Sequence, residues 1–147
     1  MALFSGMNIA ASGMTAQRLR TDVISENIAN ANTTRTADGG PYVRKNLVFT
    51  QKTNHNAFSD VLNQTIQGVG NGVKVTAIVD DTDTDMNLVY DPSHPDADEN
   101  GYVLYPNVNV VTEMTDLIDA TRSYEANATA FEASKSMAVK GLSIMNS

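Results

Sequence analysis

Asp80, Asp81, Asp83 and Asp85 crowd one short stretch, and Asp96, Asp98, Glu99 and Asn100 lead into Gly101. Oxygen donors at this density could hold calcium, which takes about six to eight of them. A helix-flanked calcium loop also needs Gly at its sixth position and a bidentate Glu at its twelfth. Counted from Asp81, those positions are Met86 and Pro92, so the match fails. Counted from Asp96, Gly101 fits the sixth, but Asn107 at the twelfth offers no carboxylate. Both runs therefore read as solvated acidic loops, with Gly101 supplying a turn at positive φ. A charged contact to a neighbouring subunit is the second reading.

His55 and His94 lie in polar, loop-like segments. Ser93, His94 and Asp96 hold the residue types of a hydrolytic triad, but sequence neighbours cannot present a nucleophile, a base and its orienting acid to one another. His94, between Pro92 and Pro95, reads as a turn residue. The run Gly68-Val69-Gly70-Asn71-Gly72 leads into a strand where a phosphate loop needs a helix N-terminus. The residues assign no catalytic, cofactor or metal role, and the chain reads as no enzyme.

Composition narrows the classes further. Ten basic residues face 17 acidic ones, a net charge of −7. Sequence-independent nucleic-acid binding needs a basic face that displaces counterions, and an anionic membrane repels such a chain. Without cysteine there is no disulfide framework and no thiolate chemistry. Aromatics are 6%, with no Trp, so a large packed core is not expected. No basic start before an apolar block suggests a secretory signal, and no apolar run has membrane-spanning length.

Three segments must position whatever these residues do. Between Ser5 and Asn30, the residues Met7, Ala10, Met14, Gln17, Thr21, Ile24 and Ile28 step by three and four, the period of a helix with one apolar face. Ser5 is its expected N-cap, and the Asn-rich run from Asn27 to Thr34 its end. From Val110, the positions Met114, Leu117, Thr121, Tyr124, Ala128, Phe131, Lys135, Ala138, Leu142 and Met145 keep a heptad register almost to the last residue. Val111, Ile118 and Val139 broaden that face. Between the helices, 42–51, 73–79, 86–90 and 102–105 read as strands separated by Gly and Pro turns. The expected fold is α+β: long N- and C-terminal helices paired as a coiled-coil-like hairpin (segments 1–34 and 106–147), with a small β-rich module (35–105) inserted between them.

Two helices alone bury one seam. The flanking apolar positions, and a turn or more of the longer C-terminal helix, would stay in water, and such stripes mark partner surfaces. Two readings follow: a subunit that completes its core with copies of itself or with relatives, and a soluble helical-hairpin binding module or export cofactor acting as a dimer.

The residues themselves go further. Ser12-Gly13-Met14 and the run Ser25-Glu26-Asn27-Ile28-Ala29-Asn30-Ala31-Asn32-Thr33 resemble the N-terminal signature of the bacterial flagellar axial proteins, the rod and hook families. Asn109 to Asn146 resembles their shared C-terminal helix. Gly72-Val73-Lys74-Val75, Asp91 to Asp98, Gly101-Tyr102-Val103 and Tyr105 to Asn109 make the chain similar to the proximal-rod C type over its whole length. The resemblance implies a structural subunit of the basal-body rod. Its terminal helices would pack into a tubular inner layer of a hollow shaft that transmits torque and conducts exported subunits. It implies as partners copies of the chain, other proximal and distal rod subunits, the export-gate or ring adaptor, and the flagellar type III export apparatus. It also implies passage to the periplasm-spanning rod without a cleaved signal.

On this reading the subunit interface draws on Met7, Met14, Ile24, Asn27, Ile28 and Asn30 of the first helix. The last helix adds Val111, Met114, Leu117, Ile118, Tyr124, Phe131, Val139, Leu142 and Met145. Asn27, with Asn8 and Gln17, could fix register as a polar residue within an apolar stripe. Of Arg18 and Arg20 on the polar face of the first helix and Arg122, Lys135 and Lys140 on the last, some would face the channel and others pair with Asp22, Glu26, Asp116 or Glu125 across subunits.

Overall fold

A computed structural model describes residues 2–37, 39–52 and 71–145. His55, Gly68 and Gly70 lie outside the described residues, as does the side chain of Met145. The order is α1 (Ala2–Ala29), β1 (Lys45–Gln51), β2 (Val73–Asp80), β3 (Asn87–Tyr90), β4 (Tyr102–Tyr105) and α2 (Val110–Met145). β1 pairs with β2, and β3 with β4. The α+β arrangement, two long terminal helices with small sheets between them in sequence, is the expected one.

Helix α1 starts at Ala2, which places Ser5 inside the first turns and not at the cap. Its end follows the Asn-rich run. The Asn30 carboxamide donates back to the Glu26 carbonyl at 2.9 Å, and the Thr33 hydroxyl donates to the Asn30 side chain at 3.1 Å. Both bonds let side chains take over from the helical ladder. Helix α2 is capped by Asn109, whose carboxamide oxygen accepts from the Val111 and Thr112 N–H groups at 3.0 and 3.3 Å. That satisfies donors that an uncapped N-terminus leaves open.

The chain divides into two compact units. One comprises Met1–Leu19, Phe49–Thr76 and Ala120–Ser147, the other Arg20–Val48 and Ala77–Asp119, so both long helices contribute to each. In the first unit, α1 and α2 approach through small residues. A Cβ at Gly13 would meet the Asn127 side chain at 2.7 Å, and one at Gly6 the Ser134 hydroxyl at 3.7 Å. The pairing is antiparallel, and Gly13 is a position where any side chain displaces a neighbour. Gly72, at φ 96°, brings its backbone against Ser12. The Ser12 hydroxyl accepts from the Val73 N–H at 3.1 Å while donating to the Ile9 carbonyl. The start of β2 is thereby fixed to the helix.

In the second unit, Val23 and Ile24 of α1 are buried, and Val103 of β4 is fully so. β3 and β4 run antiparallel in the register Asn87↔Tyr105 to Tyr90↔Tyr102. The Tyr90 and Tyr102 rings meet edge to face at 5.2 Å, a favoured aromatic geometry. Gly101, at φ 81°, supplies the expected positive-φ turn before β4.

Candidate subunit interface and the buried polar cluster beside it

The side chains singled out for chemistry serve turns. The Asp91 carboxylate accepts from the Ser93 hydroxyl at 2.6 Å and its N–H at 3.1 Å, and those bonds hold its pKa below the usual carboxylate range. His94 accepts the Asp96 N–H through Nδ1. Asp96 itself accepts from the Thr34 hydroxyl and faces Arg35 at 3.7 Å. Asp98 accepts from the Asn100 and Tyr102 N–H groups. Ser93, His94 and Asp96 thus each bond local backbone or neighbours, and no Ser–His–Asp chain forms among them.

The most ordered polar chemistry lies elsewhere in the second unit. Asn27 is 1% exposed, yet its carboxamide makes four hydrogen bonds. Its nitrogen donates to the Lys45 carbonyl at 3.0 Å and to Glu113 Oε2 at 3.1 Å. Its oxygen accepts from the Lys45 N–H and the Tyr42 hydroxyl, each at 2.9 Å. Glu113, also 1% exposed, takes the Arg44 Nε–H on its other oxygen at 2.6 Å. Arg44 continues to Asn46 at 2.7 Å and to Asp81 at 3.5 Å. Asn107 closes the far side. It accepts the Arg44 N–H at 2.8 Å and donates to the Asp81 and Thr84 carbonyls.

Electrostatics follow the packing. Burial works against the Arg44 charge, but its bonds and proximity to Glu113 and Asp81 raise its pKa beyond the usual arginine value. Burial pushes the Asp81 carboxyl up, while the Thr84 hydroxyl and N–H, the Asp83 N–H and Arg44 together hold it below the carboxylate range. Burial, then the negative charges of Glu26, Asp80 and Glu113, push the Tyr42 phenol up to about 12. A buried charge is tolerated only when paired and hydrogen-bonded, and this cluster meets that condition.

Two residues assigned to the subunit interface are therefore internal. Asn27 is enclosed by Tyr42, Lys45 and Glu113, and Ile24 is 6% exposed. Arg20 pairs with Asp116 at 3.0 Å and Lys45 with Glu26 at 2.6 Å, both within one chain, because the antiparallel helices and β1 bring those charges together. Met7, Met14, Ile28, Asn30, Leu117 and Phe131 are half-buried. Val111, Met114, Ile118, Tyr124, Val139 and Leu142 remain in water, Val111 at 75% exposure. Ile144, also at the end of α2, is 76% exposed. Sequence reasoning missed Glu113, Arg44, Tyr42 and Asn107. Glu113 sits one residue before an apolar heptad position, and nothing in its spacing signalled burial.

Comparison with known proteins follows the two helices. Residues 7–35 match the family described as flagella basal body rod protein, and 99–144 match the flagellar basal body rod FlgEFG protein C-terminal family. The chain is 48% identical to the flagellar basal-body rod protein FlgC of Borreliella burgdorferi, across 99% of both chains. The chain belongs to the flagellar basal-body rod proteins. The Bacillus subtilis FlgC is likewise 48% identical, over 98% of this chain and 99% of that one, and the Salmonella typhimurium FlgC 40%, over 98% of each. The N-terminal rod-protein match contains Asn27, and the C-terminal one contains Asn107 and Glu113. Both ends of the buried cluster thus lie within the matched segments.

Proposed function

We propose that this chain is a structural subunit of the proximal rod, polymerising with copies of itself and with other rod proteins into a hollow shaft that transmits torque and conducts exported subunits. It carries no chemical step. The observation that supports this most is the face of α2 left in water, where Val111, Met114 and Ile118 are three and four residues apart and all exposed. Its continuation along Val139 and Leu142 runs beyond the α1 partner. In the first unit Gly6 lies opposite Ser134, so α1 has ended by about residue 138. Helix surfaces this apolar are covered in the working state.

Among the described residues, no helix is long and apolar enough to cross a membrane. Packing against protein neighbours is thus the reading for these faces, and a periplasm-spanning rod, reached through the flagellum's own export channel without a cleaved signal, is the proposed location. The export-gate or ring adaptor and the distal rod subunits are the proposed contacts at its ends. The test is incorporation: basal bodies from cells expressing Val111→Asp with Ile118→Asp in place of the native chain should lack the subunit, and the cells should not swim. Variant basal bodies with normal subunit content would overturn the proposal.

A further inference from the structure

The β3–β4 ribbon carries an apolar face that its own unit does not cover. In the register Leu88↔Leu104 and Tyr90↔Tyr102, these four residues share one face, because facing pairs two residues apart point the same way. All four are exposed, Tyr90 at 64%. Val103, on the opposite face, is fully buried and anchors the ribbon in its unit. An antiparallel ribbon with one face in water is expected to be polar on that face. Four large apolar side chains set side by side there mark a contact surface instead.

Charge decides what covers it. From 77 to 109 the chain has eight acidic residues and no Lys or Arg, which leaves nine acids for the ten basic residues elsewhere. The net charge of −7 therefore arises in this segment. Asp83 and Asp85 precede β3, Asp91 follows it, and Asp98 and Glu99 precede β4, so acids stand at both ends of the ribbon. Among the described residues, no Lys or Arg forms an ion pair with any of these five. Every Lys and Arg of the second unit, namely Arg20, Arg35, Arg44 and Lys45, already pairs with an acid of its own chain.

We propose that the exposed face of the β3–β4 ribbon docks a protein other than this chain, one whose apolar contact is flanked by Lys or Arg. Leu88, Tyr90, Tyr102 and Leu104 supply the apolar burial, and the acids at the rim steer a cationic partner and repel an acidic one. Two copies meeting ribbon to ribbon would set acid against acid, with no unpaired cation of that unit to offset it. Lys135 and Lys140 of a second copy lie beside Val139 and Leu142, a stretch that the proposed rod packing already covers. In that respect the inference rests on the proposed rod function.

Cross-linking in assembled basal bodies tests it. A photoactivatable phenylalanine analogue replaces Leu88 in the full-length chain, and the peptides joined to it are identified by mass spectrometry. The expected product is a segment of a different protein with Lys or Arg beside its apolar residues. Asp85→Lys with Glu99→Lys, one change at each end of the ribbon, should cut that product at least about tenfold while the free variant keeps the native urea midpoint. Asp85→Asn with Glu99→Gln, which removes the same charges without reversing them, should cut it about threefold and decides if the reversed variant fails to fold. Products that join only copies of this chain, in basal bodies with normal subunit content, overturn the docking surface and leave the rod assignment standing. No product at all means that the face stays in water, and overturns it equally. A partner segment without Lys or Arg, or a yield that neither pair of substitutions lowers, overturns the partner chemistry.

Discussion

The Asn27 carboxamide bonds both the N–H and the C=O of Lys45, and Asn107 takes the Arg44 N–H while donating to two carbonyls beyond β2. Each side chain stands where another peptide group would continue the sheet ladder, and each keeps buried backbone satisfied at little conformational cost. Tyr42, bonded to the same Asn27 oxygen, gives this arrangement a pH signature. The folded phenol titrates near 12 and an unfolded one near 10. Above pH 10 the unfolded chain releases a proton that the folded chain keeps, so stability should fall between pH 10 and about 12, by up to about 2 kcal/mol. Urea unfolding at pH 9 and pH 11.5 checks the sign, and Tyr42→Phe should flatten the difference; equal slopes in the two proteins would discharge Tyr42. A second residue-scale prediction concerns Gly72. Its φ of 96° and its approach to Ser12 leave no room for a methyl group. Gly72→Ala should destabilise by about 2 kcal/mol or more, from backbone strain and the clash together. Adding Ser12→Ala relieves the closest contact but also removes the bond from the Val73 N–H, so the double variant should stay less stable than Ser12→Ala alone by the strain of a positive φ. Recovery to the stability of Ser12→Ala in the double variant would mean that φ relaxes freely. The special role of Gly72 was only half legible: its glycine run signalled a turn into β2, but nothing in sequence pointed to Ser12.

The helices and strands were legible because each carries its own period. The 3–4 spacing marked α1 and α2, and β-branched runs bounded by Gly and Pro marked the strands, with ends displaced by a few residues. The seam between the helices was not legible. The apolar heptad read from Met114 to Met145 shares Leu117, Ala128, Phe131 and Ala138 with the half-buried side of α2. Met114, Tyr124, Lys135 and Leu142 are exposed. The inward positions hold Glu113, Ala120, Asn127 and Ser134, small or polar residues that hydropathy does not flag. Close approach at Gly6 and Gly13 requires small residues opposite, and the buried cluster requires a carboxylate, so Met114, Ile118, Val139 and Leu142 turn outward while Leu117 and Phe131 stay half-buried. This separates two kinds of substitution that sequence alone treats alike. Ile24→Asp places a charge in a buried site and should unfold the second unit, losing about 3 kcal/mol or more. Val139→Asp with Leu142→Asp alters only exposed positions, so the free subunit's urea midpoint should stay within about 0.5 kcal/mol of native. The same pair should nonetheless prevent incorporation into basal bodies. A large loss of stability in the free protein would mean that the end of α2 is already covered in the single chain.

At the scale of the molecule, the net charge of −7 opposes the apolar faces. Copies brought together on Val111, Met114 and Ile118 also bring their excess carboxylates together, and the repulsion acts over a Debye length, about 10 Å at 0.1 M salt and about 3 Å at 1 M. Arg20, Arg44 and Lys45 cannot offset it across a subunit boundary as freely as unpaired cations could. Each already pairs within its own chain, with Asp116, with Glu113 and with Glu26. The balance predicts a subunit that stays dispersed when dilute and at low ionic strength, and associates as salt rises. Sedimentation velocity from about 0.02 to 0.5 M sodium chloride should show a growing associated fraction. Sodium sulfate at matched ionic strength should drive it further, because sulfate strengthens apolar burial as well as screening charge. Val111→Asp with Ile118→Asp should remove the response to both salts. The opposite trend, association that dissolves as salt is added, would mean that ion pairs between chains hold the contact. The faces of α2 would then be secondary to exposed acids such as Asp83 and Glu99 in the loops and Asp119, Glu125 and Glu132 on α2.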